Sequence, residues 1–218
     1  MSSQNGADGR GEGTLAERAV RRRLASVEES AQADVQALMD AGLALMVAGG
    51  GERRPRVADI VAAAGLSNDS FYRYFAGKDA LVEAIVEQGA RAVVSYVRHR
   101  MSTAEGAGER LRAGVTAVMK QASDEGLATQ TRAVLGNATS MSAGSRHMSV
   151  ALVESLAGLF TGPVTELGAD DPARTARAVA GAALAGMQYH LFKGETPDEA
   201  DLGHLVSFLL AGMVPASR

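Results

Sequence analysis

The segment R-V-A-D-I-V-A-A-A-G-L-S-N-D-S-F-Y-R-Y-F-A-G-K-D-A-L, residues 56–81, reads as two short helices joined by a tight turn, with a third helix opening at its end. Val57, Ile60 and Val61 fall at i, i+3, i+4 and share one helix face. Gly65 supplies the left-handed conformation that ends a helix at little cost. Ser67 is a good N-cap, since its hydroxyl can accept an otherwise unpaired backbone N–H. The chain then turns polar and aromatic over Asn68-Asp69-Ser70-Phe71-Tyr72-Arg73-Tyr74-Phe75. An apolar helix, a glycine turn and a second helix with hydrogen-bonding side chains outside are the parts of a helix-turn-helix.

The aromatic residues support this reading. The chain has five Phe and four Tyr, and four of these nine lie between Phe71 and Phe75. Phe71, Tyr74 and Phe75 are spaced to share a buried stripe, which turns Tyr72 and Arg73 elsewhere, where a phenol and a guanidinium suit phosphate contacts. A hairpin that bound nothing would not require so much polar chemistry. The expected base-reading residues are Asn68, Asp69 and Ser70, beside Ser67. Tyr72, Arg73, Lys78 and Arg56 are the expected phosphate contacts. Lys78 opens the next helix, where its ammonium and the free N–H groups can meet one phosphate.

At these residues the sequence resembles the TetR (tetracycline-repressor-like) family of bacterial transcriptional regulators. Ala58-Asp59-Ile60-Val61-Ala62-Ala63-Ala64-Gly65-Leu66-Ser67 is similar to its D-I-A-x-x-A-G-V-S segment, and Phe71 to Leu81 is similar to its L-Y-x-Y-F-x-x-K-E-x-L segment. The resemblance covers about 50 residues, Asp34 to Ala84. Asp69 departs from it, and suits DNA only by accepting from a cytosine amino group. Pro55-Arg56 also departs, replacing the threonines that often cap the first of the two helices. The resemblance implies operator DNA, a homodimer and a small-molecule effector in the C-terminal part.

A chain of 218 residues, 46% apolar and 22% charged, can bury a real core. Net charge of −3 argues against bulk affinity for nucleic acid, so a DNA contact requires a local basic face. The absence of cysteine excludes disulfides, thiol catalysis and thiolate zinc sites. No run approaches the ~18–20 apolar residues of a membrane span, and the start is too polar for a signal peptide, so a cytoplasmic location is expected.

The expected fold is all-α: an N-terminal three-helix DNA-binding domain and a C-terminal helical bundle. Residues 1–30 are expected to be a flexible, partly helical basic arm, in which Arg21, Arg22 and Arg23 follow phosphates or enter the minor groove. The DNA-binding domain takes 31–78, beginning with the amphipathic helix Ala31 to Ala48 and its Gly49-Gly50-Gly51 stop. The effector and dimerisation domain takes 79–218. A helix from Lys78 to about Met101 is long enough to join the two rigidly. Gly162-Pro163 is expected to kink or end a later helix. The last two helices, one opening at Pro172 and carrying Ala176, Val179, Ala180, Ala183, Leu184, Met187 and Leu191, the other opening after Pro197, are expected to pair with their copies as a four-helix bundle.

Catalytic and cofactor motifs are missing: no phosphate loop, no G-x-S-x-G and no H-E-x-x-H. Asp201 and His204 lie three apart but lack the further ligands of a metal site, so no enzyme activity, metal or cofactor is expected. A cavity lined by Met119, Leu135, Met148, Leu152 and Met187, with His147 and Gln188 as polar anchors, would take a small apolar or amphipathic effector. The chain reads as a ligand-responsive repressor that releases its operator when this cavity fills. The alternatives are a helical adaptor that binds no operator, and a helical-bundle enzyme.

Overall fold

The structure, a computed structural model, describes residues 14–51, 54–138 and 144–212, with side chains from residue 148 onward in the last segment. Among the described residues there are nine helices and no strands: α1 (Leu15–Ala48), α2 (Val57–Ala64), α3 (Asn68–Tyr74), α4 (Lys78–Ser102), α5 (Ala107–Ser123), α6 (Glu125–Ala138), α7 (Gly144–Glu166), α8 (Pro172–Lys193) and α9 (Glu199–Ala211).

The first helix corrects the expectation of an arm over 1–30. Thr14 opens a capping box: Glu17 N–H donates to its hydroxyl at 3.2 Å, and its own N–H donates to the Glu17 carboxylate at 2.7 Å. From there Ala, Arg, Leu and Glu favour helix, and nothing near residue 30 breaks it. One helix of 34 residues, about 50 Å long, therefore carries Arg21, Arg22 and Arg23 on its exposed first half. The residues before Thr14 lie outside the described part.

Two apolar clusters form the interior. The first joins Leu38 and Met46 of α1, Ile60 and Val61 of α2, Phe71 and Phe75, and Leu81, Val82 and Ile85 of α4. The second joins Val97 and Met101 of α4 to α5, α7, α8 and α9. The long α4 thus belongs to both. So, less obviously, does α6, whose Ala133 completes the first cluster.

Gly51 shows how α6 reaches that cluster. It is buried at φ +82°, and a Cβ on it would stand 3.0 Å from Ala133 Cα. A Cβ on Gly136 would lie 2.7 Å from the Gly51 carbonyl oxygen, which accepts from Asn137 Nδ2 at 3.3 Å. The glycine run expected only to stop α1 is also the seat on which α6 rests.

In the second cluster α7 and α8 form the most extensive helix pair. The small residues Ala176, Ala180 and Ala183 lie fully buried there, as do Leu156, Phe160 and Val164 of α7. Pro163 does not itself end α7: the helix runs on to Glu166. A proline there gives up its own N–H bond and crowds the carbonyl four residues back, and the helix closes within one turn of it. Met148–Glu166 also corrects the reading that no run is long and apolar enough to cross a membrane. By length and composition it is, and one face of it, through Leu156, Phe160 and Val164, packs into the second cluster.

Candidate nucleic-acid interface

α2 begins without a side-chain cap, as the Pro55-Arg56 departure foreshadowed. The Arg56 guanidinium turns to the first turn of its own helix, donating from Nε to Asp59 Oδ2 at 2.8 Å and from Nη2 to Asp59 Oδ1 at 3.0 Å. The Asp59 hydrogen bond, with the carboxylate's charge, raises the arginine's pKa above its ordinary value. The Asp59 carboxylate thus offsets, within the chain, the repulsion between this cation and the positive end of the helix.

At its other end α2 closes in a Schellman motif. Gly65 is left-handed at φ 67°, Leu66 N–H donates to Val61 O at 2.9 Å, and Gly65 N–H donates to Ala62 O at 3.3 Å. Ser67 then starts α3 by accepting from Ser70 N–H at 3.1 Å. Turn and cap together fix the angle between the helices. Phe71 is fully buried, its ring 5.7 Å from that of Phe75, which is also buried. Tyr74 is half-buried, and its hydroxyl donates to Asp34 Oδ2 at 3.1 Å, tying α3 to α1.

With that stripe sunk, Asn68, Asp69, Tyr72 and Arg73 are exposed along one outer surface, and Tyr72 keeps 60% of its area open. Ser70 is placed differently from these four: it is half-buried and its hydroxyl lies 3.1 Å from that of Ser67. Both serines serve the start of the helix. Lys78 opens α4, exposed, at a helix end that no side chain caps. Beside it, Arg54 donates from Nη1 to Asp79 Oδ1 at 3.2 Å.

The cavity residues do not converge. Met119 and Met187 are buried core, Leu135 packs half-buried against that core, and Gln188 is exposed. Met119 fills space left by a small neighbour, its Sδ standing 3.3 Å from where a Cβ on Gly186 would be. The His147 side chain lies outside the described residues. Met148 and Leu152 do line a groove of about 750 Å³ between α4 and α7, with Val94 beside them and Glu87, Arg91 and Arg98 on its α4 wall. Arg91 pairs with Glu87. The α4 residues of this groove were missed because a groove between two amphipathic helices is set by their separation, which neither sequence shows.

The apolar stripe of α8 read from the sequence is used within the chain, so it is not the face offered to a second copy. On the outer side of α8 stand Tyr189 and Phe192, and on α9 stands Phe208, exposed by 57%, 60% and 67%. Lys193 pairs with Glu195 at 2.8 Å and lies over the Tyr189 ring, and these partners raise its pKa, Glu195 most. Asp201 caps α9 through Asp198 and approaches the buried His190 at 3.9 Å, leaving His204 apart. Among the described residues no three potential metal ligands cluster.

A short helix seated on aromatic rings beneath and presenting amide, carboxylate, phenol and guanidinium groups outward defines a helix-turn-helix DNA-binding protein on an all-helical body. Residues 38–85 match the family model for bacterial regulatory proteins of the tetR family. No curated protein matches the sequence. Solved structures share the fold. A bacterial regulatory protein in the tetR family from Rhodococcus RHA1 is 17% identical, with TM-score 0.61 over 85% of this chain and 98% of its own. SCO4454, a TetR-family transcriptional regulator from Streptomyces coelicolor, is 18% identical, with TM-score 0.64 over 93% and 97%. The transcriptional regulator FadR from Bacillus subtilis, solved in complex with stearoyl-CoA, is 16% identical, with TM-score 0.61 over 84% and 99%. At such identities these likenesses concern the fold, while the family match rests on the helix-turn-helix itself. Residues 38–85 thus carry a DNA-binding helix-turn-helix of the tetR type, and the rest of the chain shares the fold of solved regulators of that family.

Proposed function

We propose that the protein acts in the cytoplasm as a homodimeric repressor that releases operator DNA when a small apolar or amphipathic molecule occupies its body. The position of α4 carries this reading. One side of the helix holds Leu81, Val82 and Ile85 in the cluster that seats α3, while another, through Glu87, Arg91, Val94 and Arg98, walls the groove against α7. A molecule wedged into that groove must displace α7 or α4, and α4 cannot tilt without carrying α3. The apolar floor of Val94, Met148 and Leu152 suits a hydrocarbon chain, and the two arginines suit an anionic head. The stearoyl-CoA bound by FadR is a molecule of that kind.

In this reading Asn68 and Asp69 read base edges, while Tyr72, Arg73 and Lys78 hold phosphates. Ser67 and Ser70 set the helix start, and Ser70 reaches a base only by giving up the Ser67 hydroxyl. Arg56 meets a phosphate only by sharing its guanidinium with Asp59. Arg21, Arg22 and Arg23 approach DNA as part of a rigid helix. Tyr189, Phe192 and Phe208 form the contact between subunits, which must hold two α3 helices about 34–36 Å apart, or a multiple, to enter successive major grooves.

Fluorescence anisotropy against DNA flanking the protein's own gene tests the reading. Specific binding is expected, lowered by long-chain acyl compounds. Leu152→Glu should deny an acyl chain its apolar floor and blunt the response while operator affinity stays. Binding no tighter to that DNA than to random duplex would refute the operator claim.

A further inference from the structure

The first four turns of α1 carry an apolar stripe that the described residues leave uncovered. Val20, Leu24 and Val27 are 57%, 62% and 48% exposed, and Ala31 continues their row. Their spacing of i, i+4, i+7, i+11 is the seam of a two-helix coil. The row is collinear with Leu38 and Gly42 further along, which do have a partner: a Cβ on Gly42 would meet Leu81 and Ile85 of α4 at 3.0 Å. One face of one helix is thus covered in its second half and bare in its first.

The charges beside the bare half are segregated. Arg18, Arg21, Arg22 and Arg23 come first, and Glu28 and Glu29 follow. Arg21 and Glu28, seven apart, lie on the same flank of the stripe. We propose that this segment pairs antiparallel with the same segment of a second copy of the chain. Leu24 then packs on the partner's Val27, Val20 packs on the partner's Ala31, and Arg21 faces the partner's Glu28, twice by the two-fold axis. A parallel pairing would bring the arginine blocks of both copies level with each other, and the glutamates likewise. A DNA backbone could take the arginines but has no place for Val20, Leu24 and Val27. The stripe and the aromatic face of α8 and α9 lie on different helices, so one chain carries two self-complementary surfaces, as a dimer of dimers requires. The inference rests on α1 alone and is independent of the operator reading.

The absence of cysteine makes the register directly testable. Chains carrying Leu24→Cys and Val27→Cys, co-expressed and oxidised in the presence of the full-length protein's own fold, should cross-link to each other. Neither should cross-link efficiently to itself. Efficient linking of Leu24→Cys alone would mean parallel pairing, and no linking in the mixture would mean no pairing; either overturns the proposal. In light scattering, Leu24→Glu should halve the solution mass without loss of helix content. Arg21→Glu should weaken association several-fold, and Glu28→Arg added to it should restore association. If Leu24→Glu leaves the mass unchanged while Arg21→Glu lowers only DNA affinity, the segment serves DNA and the proposal fails.

Discussion

α3 and α8 both sink an apolar stripe and differ in what they leave outside. α3 hides Phe71 and exposes Asn68, Asp69, Tyr72 and Arg73. α8 hides Ala176, Val179, Ala180 and Ala183 and exposes Ala178, Ala185, Tyr189 and Phe192. The inner face says only that a helix is packed. The outer face says what it can meet: hydrated, charged groups suit base edges and phosphates, whereas bare rings suit another protein surface. The anchoring differs too. Seven residues of α3 stay in place because of two large rings, while α8 spreads its burial over 22 residues and many methyl groups.

The largest expected effect breaks that difference in anchoring. Phe71→Ala removes the ring under α3 and should cost about 3–5 kcal/mol, read by chemical denaturation, with DNA binding lost. Ala183→Gly in α8 removes one methyl of many and should cost about 1 kcal/mol. Comparable costs would mean that α3 is not held by its ring. Next come the outer faces. Phe192→Glu should cost the subunit contact about 2 kcal/mol or more, seen by sedimentation as dissociation, with the fold intact. Exchanging Asn68 for Ala should cost about 1–3 kcal/mol on the preferred operator and relax its sequence preference. Lys78→Ala should weaken all sequences alike and reduce the salt slope by about one. If Asn68→Ala behaves like Lys78→Ala, the outer face of α3 does not read bases.

How far the chain could be read without coordinates follows the same contrast. The helix-turn-helix was legible because its signals are local: a glycine at the turn, a serine cap and rings three and four apart, each decided within one turn of chain. α4, α8 and α9 were legible from their periodicity and caps. The extent of α1 is signalled too, by the capping box T-L-A-E at residues 14–17, although the density of charge at Arg21, Arg22 and Arg23 resembles that of an arm. What could not be read depends on distance between elements. Met119 and Met187 have the spacing of a cavity lining and of a core alike, and only the closeness of α5 and α8 makes them core. The Gly51 seat for α6 joins residues 86 apart through a backbone carbonyl, which no side-chain pattern announces. The Arg56–Asp59 pair is local and legible as well: an acid three residues along the same helix competes with phosphate for the guanidinium.

The smallest effect sharpens the anchoring argument most finely. Tyr74 belongs to the buried stripe of α3 by spacing, but its hydroxyl reaches Asp34 on α1, just beyond the point where the bare half of that helix ends. Tyr74→Phe keeps the ring and removes only the donor, leaving the half-buried Asp34 carboxylate short of a partner. A loss of about 0.5–1.5 kcal/mol is expected, with sequence preference unchanged, because the group touches no outward side chain of α3. Asp34→Asn, which can still accept from Tyr74, should cost less. A change in operator preference in Tyr74→Phe would instead show that α1 sets the orientation of α3 through this bond. The division between an inner face that anchors and an outer face that reads would then not hold for this helix.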